Sequence, residues 1–530
     1  FHARHFNVWL DLKPETGHRI LMQTYPGGIM SGMDYYQNDA GIVVCETTLD
    51  QTAFNPEGEP VCSRIRRALQ HSDSIDGVVA VLSNKNNGLY SNEWLMADMK
   101  TDEIAMFELG TDKSRLWRSG QNQWFAGVEG FYWGCNNAKD LQVRLETVPG
   151  VEGKPVNVLF HPTDRDRAWL KLYDRWKGRI DADFGFEAFT TAPLCSSRAL
   201  DAKFTTAKLT GRLESYAVFG PPRGQVWEPT DAERDLYPEI GPLLPHDWTL
   251  LSAQAPPAPS AGMVQAVDLG GPSAQDATLS VNARRPPAWH GTILPASDAD
   301  LWLAAAFADY ERIVALEKAL GAQKDGRSQG DQALFAPMSK YLSARARTGS
   351  DLALGKVKRD VRSDAWYDIA SGKGVLVLDS LRKQLGARTF DSAMDHFGRA
   401  HAGRTASTDE FFETLEKASG KPLRPSKADW INSDGFEHLD PSVAERFRQG
   451  RFWSVTSFEH EPDRVKIVYR TASDSRGNRE AAYRLQHLLR TKWSNISAPV
   501  MADSDLRESD LSGTHLILIG TPYCSDGALA

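Results

Sequence analysis

Gly41–Thr48, GIVVCETT, is the stretch from which the fold is read. Its apolar run is nearly continuous and too short for a typical helix, which suits a strand covered on both faces. Upstream, Phe6–Leu12 and Arg19–Thr24 read as strands on either side of a turn at Pro14–Gly17. Downstream, Arg64–Leu82 has helical spacing through Ile65, Leu69, Ile75, Val78, Val79 and Leu82. Glu93–Asp98 and Glu103–Glu108 read as a hairpin across Lys100–Asp102, and Leu116–Trp117 and Trp124–Val128 as continuing the sheet. Arg165–Ile180 is a charged amphipathic helix, and Leu213–Val218 a further strand before the Pro/Gly-rich residues 220–224. Strands, helices and strands again predict a layered α/β or α+β unit over residues 1–250.

The pattern changes at Ala253–Pro287, which is rich in Pro, Ala, Ser and Gly and reads as a linker, so residues 251–290 are assigned to it. Residues 291–440 are predicted helical. Leu303, Phe307, Tyr310 and Val314 share one helix face, and Ser407 precedes Glu410 at capping-box spacing. Residues 441–530 return to β/α, with strands at Val465–Tyr469 and His515–Gly520 and a helix at Arg479–Arg490. The expected class is α+β, in three units.

A net charge of −8 over 530 residues argues against a general nucleic-acid binder, which needs a basic face for phosphates. No apolar run is long enough for a membrane span. The opening FHARHFNVWLDL is neither a signal peptide nor an initiator methionine, and further residues are expected to precede it. Cys45, Cys62, Cys135, Cys195 and Cys524 form neither a disulfide framework nor a metal-like spacing. Cys45 reads as a core cysteine in mid-strand, and Cys135 as a pocket-lining one. His2, His5 and His18 share no metal-binding spacing with a carboxylate, so no metal and no cofactor are expected.

Tyr25–Asp50 (YPGGIMSGMDYYQNDAGIVVCETTLD) resembles the phospholipase B-like proteins and their bacterial relatives among the isopenicillin N acyltransferase-like cysteine N-terminal-nucleophile (Ntn) hydrolases. The likeness continues through Asn86–Asp98, Glu103–Gly110, Phe131–Asn137 (FYWGCNN), Ala199–Leu209 and Ser215–Pro222. It implies an αββα sandwich, lacking its first strand here, in which a cysteine exposed by self-cleavage attacks an amide or ester carbonyl. The α-amino group of that cysteine is the base. The resemblance places the cysteine upstream of Phe1, on an N-terminal segment or a separate chain of the same precursor. An oxyanion donor in such chemistry is worth about 3–4 kcal/mol. In the related conjugated-bile-acid hydrolases an Asn in a turn supplies it, and Gly134–Asn137 resembles that turn. Asn136 is therefore the candidate donor, with Thr47 and Thr48 as the second polar position near the nucleophile. Asn92, Asn137 and Glu46 are candidate substrate-binding residues. The same residues also read as a plain Asn turn and as ordinary strand formers. Tyr35, Tyr36, Trp94, Trp124, Tyr132 and Trp133 suggest an apolar acyl-binding wall, or core.

A second resemblance covers Leu301–Tyr310 (LWLAAAFADY), Ala370–Gly386 and Ala402–Leu423, which look like part of a gluzincin zinc aminopeptidase. That family binds zinc through HExxH and a later Glu. Here the Glu position is matched by Ala305, the family's tyrosine by Ser371, and no HExxH occurs; His460-Glu461 continues as Pro-Asp-Arg. This implies a pseudo-peptidase module. The function expected is cleavage or transfer of an acyl group at a C–N amide bond, on a small-molecule or peptide substrate. The alternatives are a phospholipase B-type esterase and a non-catalytic scaffold. No nucleic-acid partner is expected, a homo-oligomer is left open, and a periplasmic or secreted setting is favoured over a cytoplasmic one.

Overall fold

The computed structural model describes residues 7–147, 158–196, 199–229, 231–238, 240–253, 287–320, 333–435, 465–472, 474–492, 498–507 and 514–520. Seven strands form one antiparallel meander in chain order: β1 (Val8–Leu12), β2 (Ile20–Thr24), β3 (Tyr35–Asn38), β4 (Ile42–Thr48), β5 (Asn92–Asp98), β6 (Glu103–Leu109) and β7 (Ser114–Arg118). One face of β4 is buried, as its composition predicts, while Val43, Cys45 and Thr47 on the other are only half-buried. Ile42 and Val44 join Met22, Tyr36, Trp94, Met96 and Phe107 under a helix layer. That layer is α1 (Val61–His71) and α2 (Ile75–Ser83), which bury Ile65, Leu69, Val78 and Leu82. Each such aliphatic side chain contributes about 1.5–3 kcal/mol when fully buried. The helical spacing read over residues 64–82 thus resolves into a pair of helices. The chain turns at Ser72, and Ser74 restarts the helix by accepting from the Gly77 N–H.

Past β7 the chain does not continue the sheet. Trp124–Val128, expected as a strand, is a turn in which Ala126 is left-handed at φ 51°, a geometry that no strand accommodates. Next come α3 (Leu141–Glu146), α4 (Asp164–Trp176) and α5 (Ala182–Ala188). Helix α4 has a full capping box between Thr163 and Asp166, and α5 is capped by Asp181.

A second antiparallel sheet has the order β10-β9-β8. It consists of β8 (Asp201–Phe204), β9 (Glu214–Phe219) and β10 (Thr249–Ser252), with the short helices α6 (Ala207–Thr210) and α7 (Asp231–Leu236) in its connections. One face meets the first sheet: Ser215 Oγ lies 2.9 Å from Tyr35 Oη, and Gln23 donates to Asp201 at 2.7 Å. The other face carries Phe204 and Tyr216, whose rings pack edge-on against Phe186 of α5, with Phe204 also edge-on to Trp248. The layers therefore run helix, sheet, sheet, helix.

The helical region has its own large core. Helix α8 (Leu301–Leu320) packs with α9 (Phe335–Thr348) and α10 (Ala365–Leu385), then α11 (Ala387–Ala400), α12 (Thr408–Ser419) and α13 (Arg424–Ile431). Gly374 lets α10 approach α8, since a Cβ there would sit 2.8 Å from that of Ala306. The capping box predicted at Ser407 and Glu410 is present. Strands β11 (Leu294–Pro295) and β12 (Thr405–Ala406) pair in parallel. Of the expected linker, residues 254–286 lie outside the described residues, while Ala288 and Trp289 already pack into the helical core. Near the C-terminus, β13 (Val465–Tyr469) pairs in parallel with β14 (Val500–Ala502) and β15 (His515–Ile519), and α14 (Ser475–Lys492) packs on β13. Among the described residues no helix is long and apolar enough to cross a membrane.

Candidate active site

The two sheets part at one end to leave a cleft of about 620 Å³. Val43, Cys45 and Thr47 of β4 and Leu95 and Ala97 of β5 form one wall, and Lys203, Phe204 and Thr205 the other. These β4 positions alternate with the ones beneath the helix layer, so the pleat itself aims them at the cleft. Of the aromatic wall suggested by the sequence, Tyr35 alone lines it; Trp169 and Phe189 also border the cleft. Trp94 and Trp133 are core, and Trp124 stacks on Tyr132 at 5.3 Å.

Three of the six candidates meet at the edge of this cleft. The Asn136 N–H donates to Thr47 Oγ1 at 3.0 Å, and Asn136 Nδ2 donates to the Thr48 carbonyl at 2.7 Å. Arg165 of α4 completes the set, donating to Asn136 Oδ1 at 2.9 Å and to the Cys135 carbonyl at 2.8 Å. Asn136 is left-handed at φ 58°, which Asn tolerates better than most residues. Its side chain is exposed, and an amide carries a second N–H beyond the one given to Thr48. Gly134 has no room for a side chain: a Cβ would fall 2.3 Å from Thr47 Cγ2 and 2.6 Å from Glu93 Oε2.

The other three divide. Glu46 lines the cleft, and burial together with Asp34 pushes its carboxyl up to about 9, so it is protonated at neutral pH. Asn92 lies behind it, buried, with an amide placed to donate to Glu46 Oε2 at 3.1 Å and to the Ser91 carbonyl at 2.9 Å. It supports Glu46 and does not face the cleft. Asn137 turns away too, donating to the His161 carbonyl at 3.2 Å and accepting from Arg144 at 2.9 Å. Neither Asn92 nor Asn137 is placed to touch a ligand in the cleft.

Sequence reasoning missed what lies beneath. Lys139 is fully buried and donates through Nζ to Glu93 Oε1. Its backbone N–H and that of Asp140 donate to Glu108 at 2.6 and 2.8 Å. Trp133 Nε1 donates to Asp166 at 2.8 Å beside it. Burial pulls the Lys139 ammonium down, but Glu93, Glu108 and Asp166 outweigh it and hold it above the usual lysine range. Three carboxylates around one ammonium leave excess negative charge, and burial pushes Glu93 up to about 8. The available signal was Glu93 and Glu108 at inward strand positions, where apolar residues belong.

The cysteines inside the described residues are all free. Burial pushes Cys45 up to about 12, with Glu46 and Asp34 adding to the effect, and it raises Cys135 and Cys195 as well. A thiol held protonated is a poor nucleophile. Cys524, His2, His5 and His460-Glu461 lie outside the described residues, and His18 pairs with Asp39 at 3.0 Å.

In the helical region Ala305 is buried in the α8 core and Ser371 Oγ donates to Asp309 at 2.7 Å. A methyl cannot ligate zinc, so the residues present do not fit that metal at the matched positions. Among the described residues no three His, Cys, Asp or Glu side chains converge as a metal site. Residues 288–430 match the Peptidase family M1 domain. Glutamyl aminopeptidase from Bitis rhinoceros is 23% identical over 154 residues, covering 29% of this chain and 16% of that protein. Putative phospholipase B-like 2 from Mus musculus is 32% identical over 92 residues, covering 16% of this chain and 15% of that protein. The chain thus matches only about a sixth of the length of these relatives. The phospholipase B-like part of the first likeness and the aminopeptidase likeness recur in these matches. Among solved structures, a variant of conjugated bile acid hydrolase from Clostridium perfringens aligns at 14% identity and TM-score 0.22, over 42% of this chain and 79% of that one. An M1 zinc metallopeptidase from Deinococcus radiodurans aligns at 20% identity and TM-score 0.21, over 28% and 31%.

Proposed function

We propose that the cleft is the acyl-binding part of a cysteine Ntn hydrolase acting on a C–N amide bond, with the nucleophilic thiol supplied from outside Phe1–Ala530. The observation that carries this reading is the Asn136–Thr47–Thr48 cluster at the edge of a two-sheet cleft. The thiol passes its proton to its own α-amino group and its sulfur bonds the carbonyl carbon. The amine leaves with that proton, and water hydrolyses the thioester. The second Asn136 N–H donates to the oxyanion. The Thr47 hydroxyl fixes the Asn136 backbone, and Glu46, held by Asn92, lines the cleft as a neutral acid. The exported setting implied by the family resemblance belongs to this reading.

The test uses the natural protein with whatever precedes Phe1. Mass spectrometry after iodoacetamide treatment is expected to find one rapidly labelled cysteine at a processed N-terminus. Turnover of N-acyl amides is expected to fall by about 10²–10³ in kcat for Asn136→Ala. A protein that stays uncut, with only slow labelling of internal cysteines, would falsify the reading. A phospholipase B-type esterase is the second reading, favoured by the 32% match to a phospholipase B-like protein. Release of fatty acid from a diacyl glycerophospholipid, with no amide turnover, selects it.

A further inference from the structure

The helical region meets the cleft-bearing part at a seam, and the contacts there lead back to Asn136. On the helical side the seam is the start of α10. The Tyr367 ring stacks flat on His161, with centroids 3.8 Å apart and an interplanar angle of 8°. Asp364 accepts from Arg167 of α4 at 2.8 Å and is itself braced by Arg347 at 3.4 Å. Arg362 pairs with Asp174 at the far end of α4 at 3.0 Å. Val158 and Leu159, just before His161, are buried in the helical core.

Each contact continues inward by a single step. His161, held by Tyr367, offers its carbonyl to Asn137 at 3.2 Å. Arg167, held by Asp364, lies on the same helix as Arg165, which binds the Cys135 carbonyl and Asn136 Oδ1. The Gly134–Asn137 turn is therefore gripped from three sides: by Thr47 and Thr48 of the sheet, by Arg165, and by the His161 strap. Two of those three grips are anchored on α10. A left-handed Asn in an exposed turn needs such over-determination to stay in one geometry.

We propose that the helical region acts as a clamp on the candidate oxyanion turn, with Tyr367 and Asp364 as positioning residues acting on Asn136 through His161–Asn137 and Arg167–Arg165. A region matching a peptidase domain without its zinc chemistry thereby serves the cleft of the other fold. The catalytic meaning of the clamp rests on the function proposed above, but the clamp itself is tested without it.

The reporter is the Asn136 amide, which donates to Thr47 Oγ1 at 3.0 Å. Hydrogen exchange resolved by fragmentation mass spectrometry is measured on the full chain as wild type, Tyr367→Ala, Tyr367→Phe and Asp364→Ala. Exchange at Asn136 is expected to speed up about tenfold in both alanine variants, with β5 unchanged and Tyr367→Phe close to wild type because the ring stack is kept. Unchanged exchange at Asn136 overturns the proposal. So does uniform loosening of the whole first sheet, which a merely structural seam would produce. If the wild type turns over N-acyl amides, kcat falls about tenfold in the alanine variants with KM within about twofold, the signature of a contact made in the transition state. A wild type with no turnover sinks the functional reading, and the exchange rates at Asn136 then decide the clamp by themselves.

Discussion

Replacing Lys139 by Met leaves Glu93 and Glu108 buried without their cation. Lys139 and Glu93 have no exposed side-chain surface, so solvent does not screen the loss. Removing one partner of a buried ion pair costs about 3–5 kcal/mol, mostly the penalty of the charge left behind. The ammonium also sits 5.3 Å from the Trp133 ring centroid, a contact that Met replaces only in part. For a cooperative unit of about 200 residues, each kcal/mol moves the Tm by about 2–4 °C, so calorimetry should record a drop of roughly 6–20 °C. The stranded carboxyls take up protons in the folded state that they release on unfolding. Stability of the variant therefore falls with rising pH. Because burial already keeps Glu93 protonated up to about pH 8 in the wild type, the deficit widens most above that pH, where the wild-type carboxyl ionises beside its cation and the stranded one does not. The double variant Glu93→Gln/Lys139→Met removes the worst of the stranded charge and should recover a large part of the loss. A Lys139→Met protein within about 0.5 kcal/mol of wild type, or single effects that simply add in the double variant, would refute the network.

The pH dependence at the cleft has its own test. Burial and Asp34 raise the Glu46 carboxyl to about 9 in the folded state, so its contribution to stability is fully present below about 4.5 and falls as pH rises toward 9, because over that range the unfolded chain has released a proton that the folded one still holds. Glu46→Gln should flatten the fall in Tm between pH 5 and 9; parallel curves would contradict it. In thiol chemistry, Cys45 and Cys135 should react with iodoacetamide at neutral pH at least about tenfold more slowly in the native protein than in urea, because burial raises both. Equal rates would show that the cleft does not hold Cys45 protonated. Ala305→Glu should lower the Tm by burying an unpaired carboxyl without adding zinc by elemental analysis. Stoichiometric zinc in that variant would show that the remaining ligands are present after all.

What the sequence disclosed followed from periodicity. β4 was legible because a short, unbroken apolar run marks a strand with a buried face, and α8 because Leu303, Phe307, Tyr310 and Val314 recur on one face. The break between α1 and α2 was hidden because the apolar spacing runs on through Ser72–Ser74; Ser74, a good N-cap, was the clue that outranked it. Trp124–Val128 misled because aromatics read as strand formers, whereas here they face one another across a turn. The joining of Asn136 to Thr47 spans 89 positions and has no local signature. It was reached through family likeness, which also supplied Asn137 and Asn92. The structure gives those two supporting roles, because a neighbour in sequence can point to the opposite side of a turn. The Lys139 cluster went unread because its members lie on β5, β6, the loop before α3 and α4, far apart in sequence.

The burial of Val158 and Leu159 in the helical core has a consequence for dissecting the protein. By composition alone, the Pro-, Ala-, Ser- and Gly-rich sequence between Ala253 and Pro287 marks where the chain would be divided. Energetically the division lies elsewhere, because the strap ahead of α4 belongs to the core assembled from residues 289–431. A protease nick between those positions should leave two fragments that co-elute, while either fragment expressed alone exposes an apolar face that the other was shaped to cover. The protein should therefore behave in such experiments as a complementing pair rather than as two independent modules.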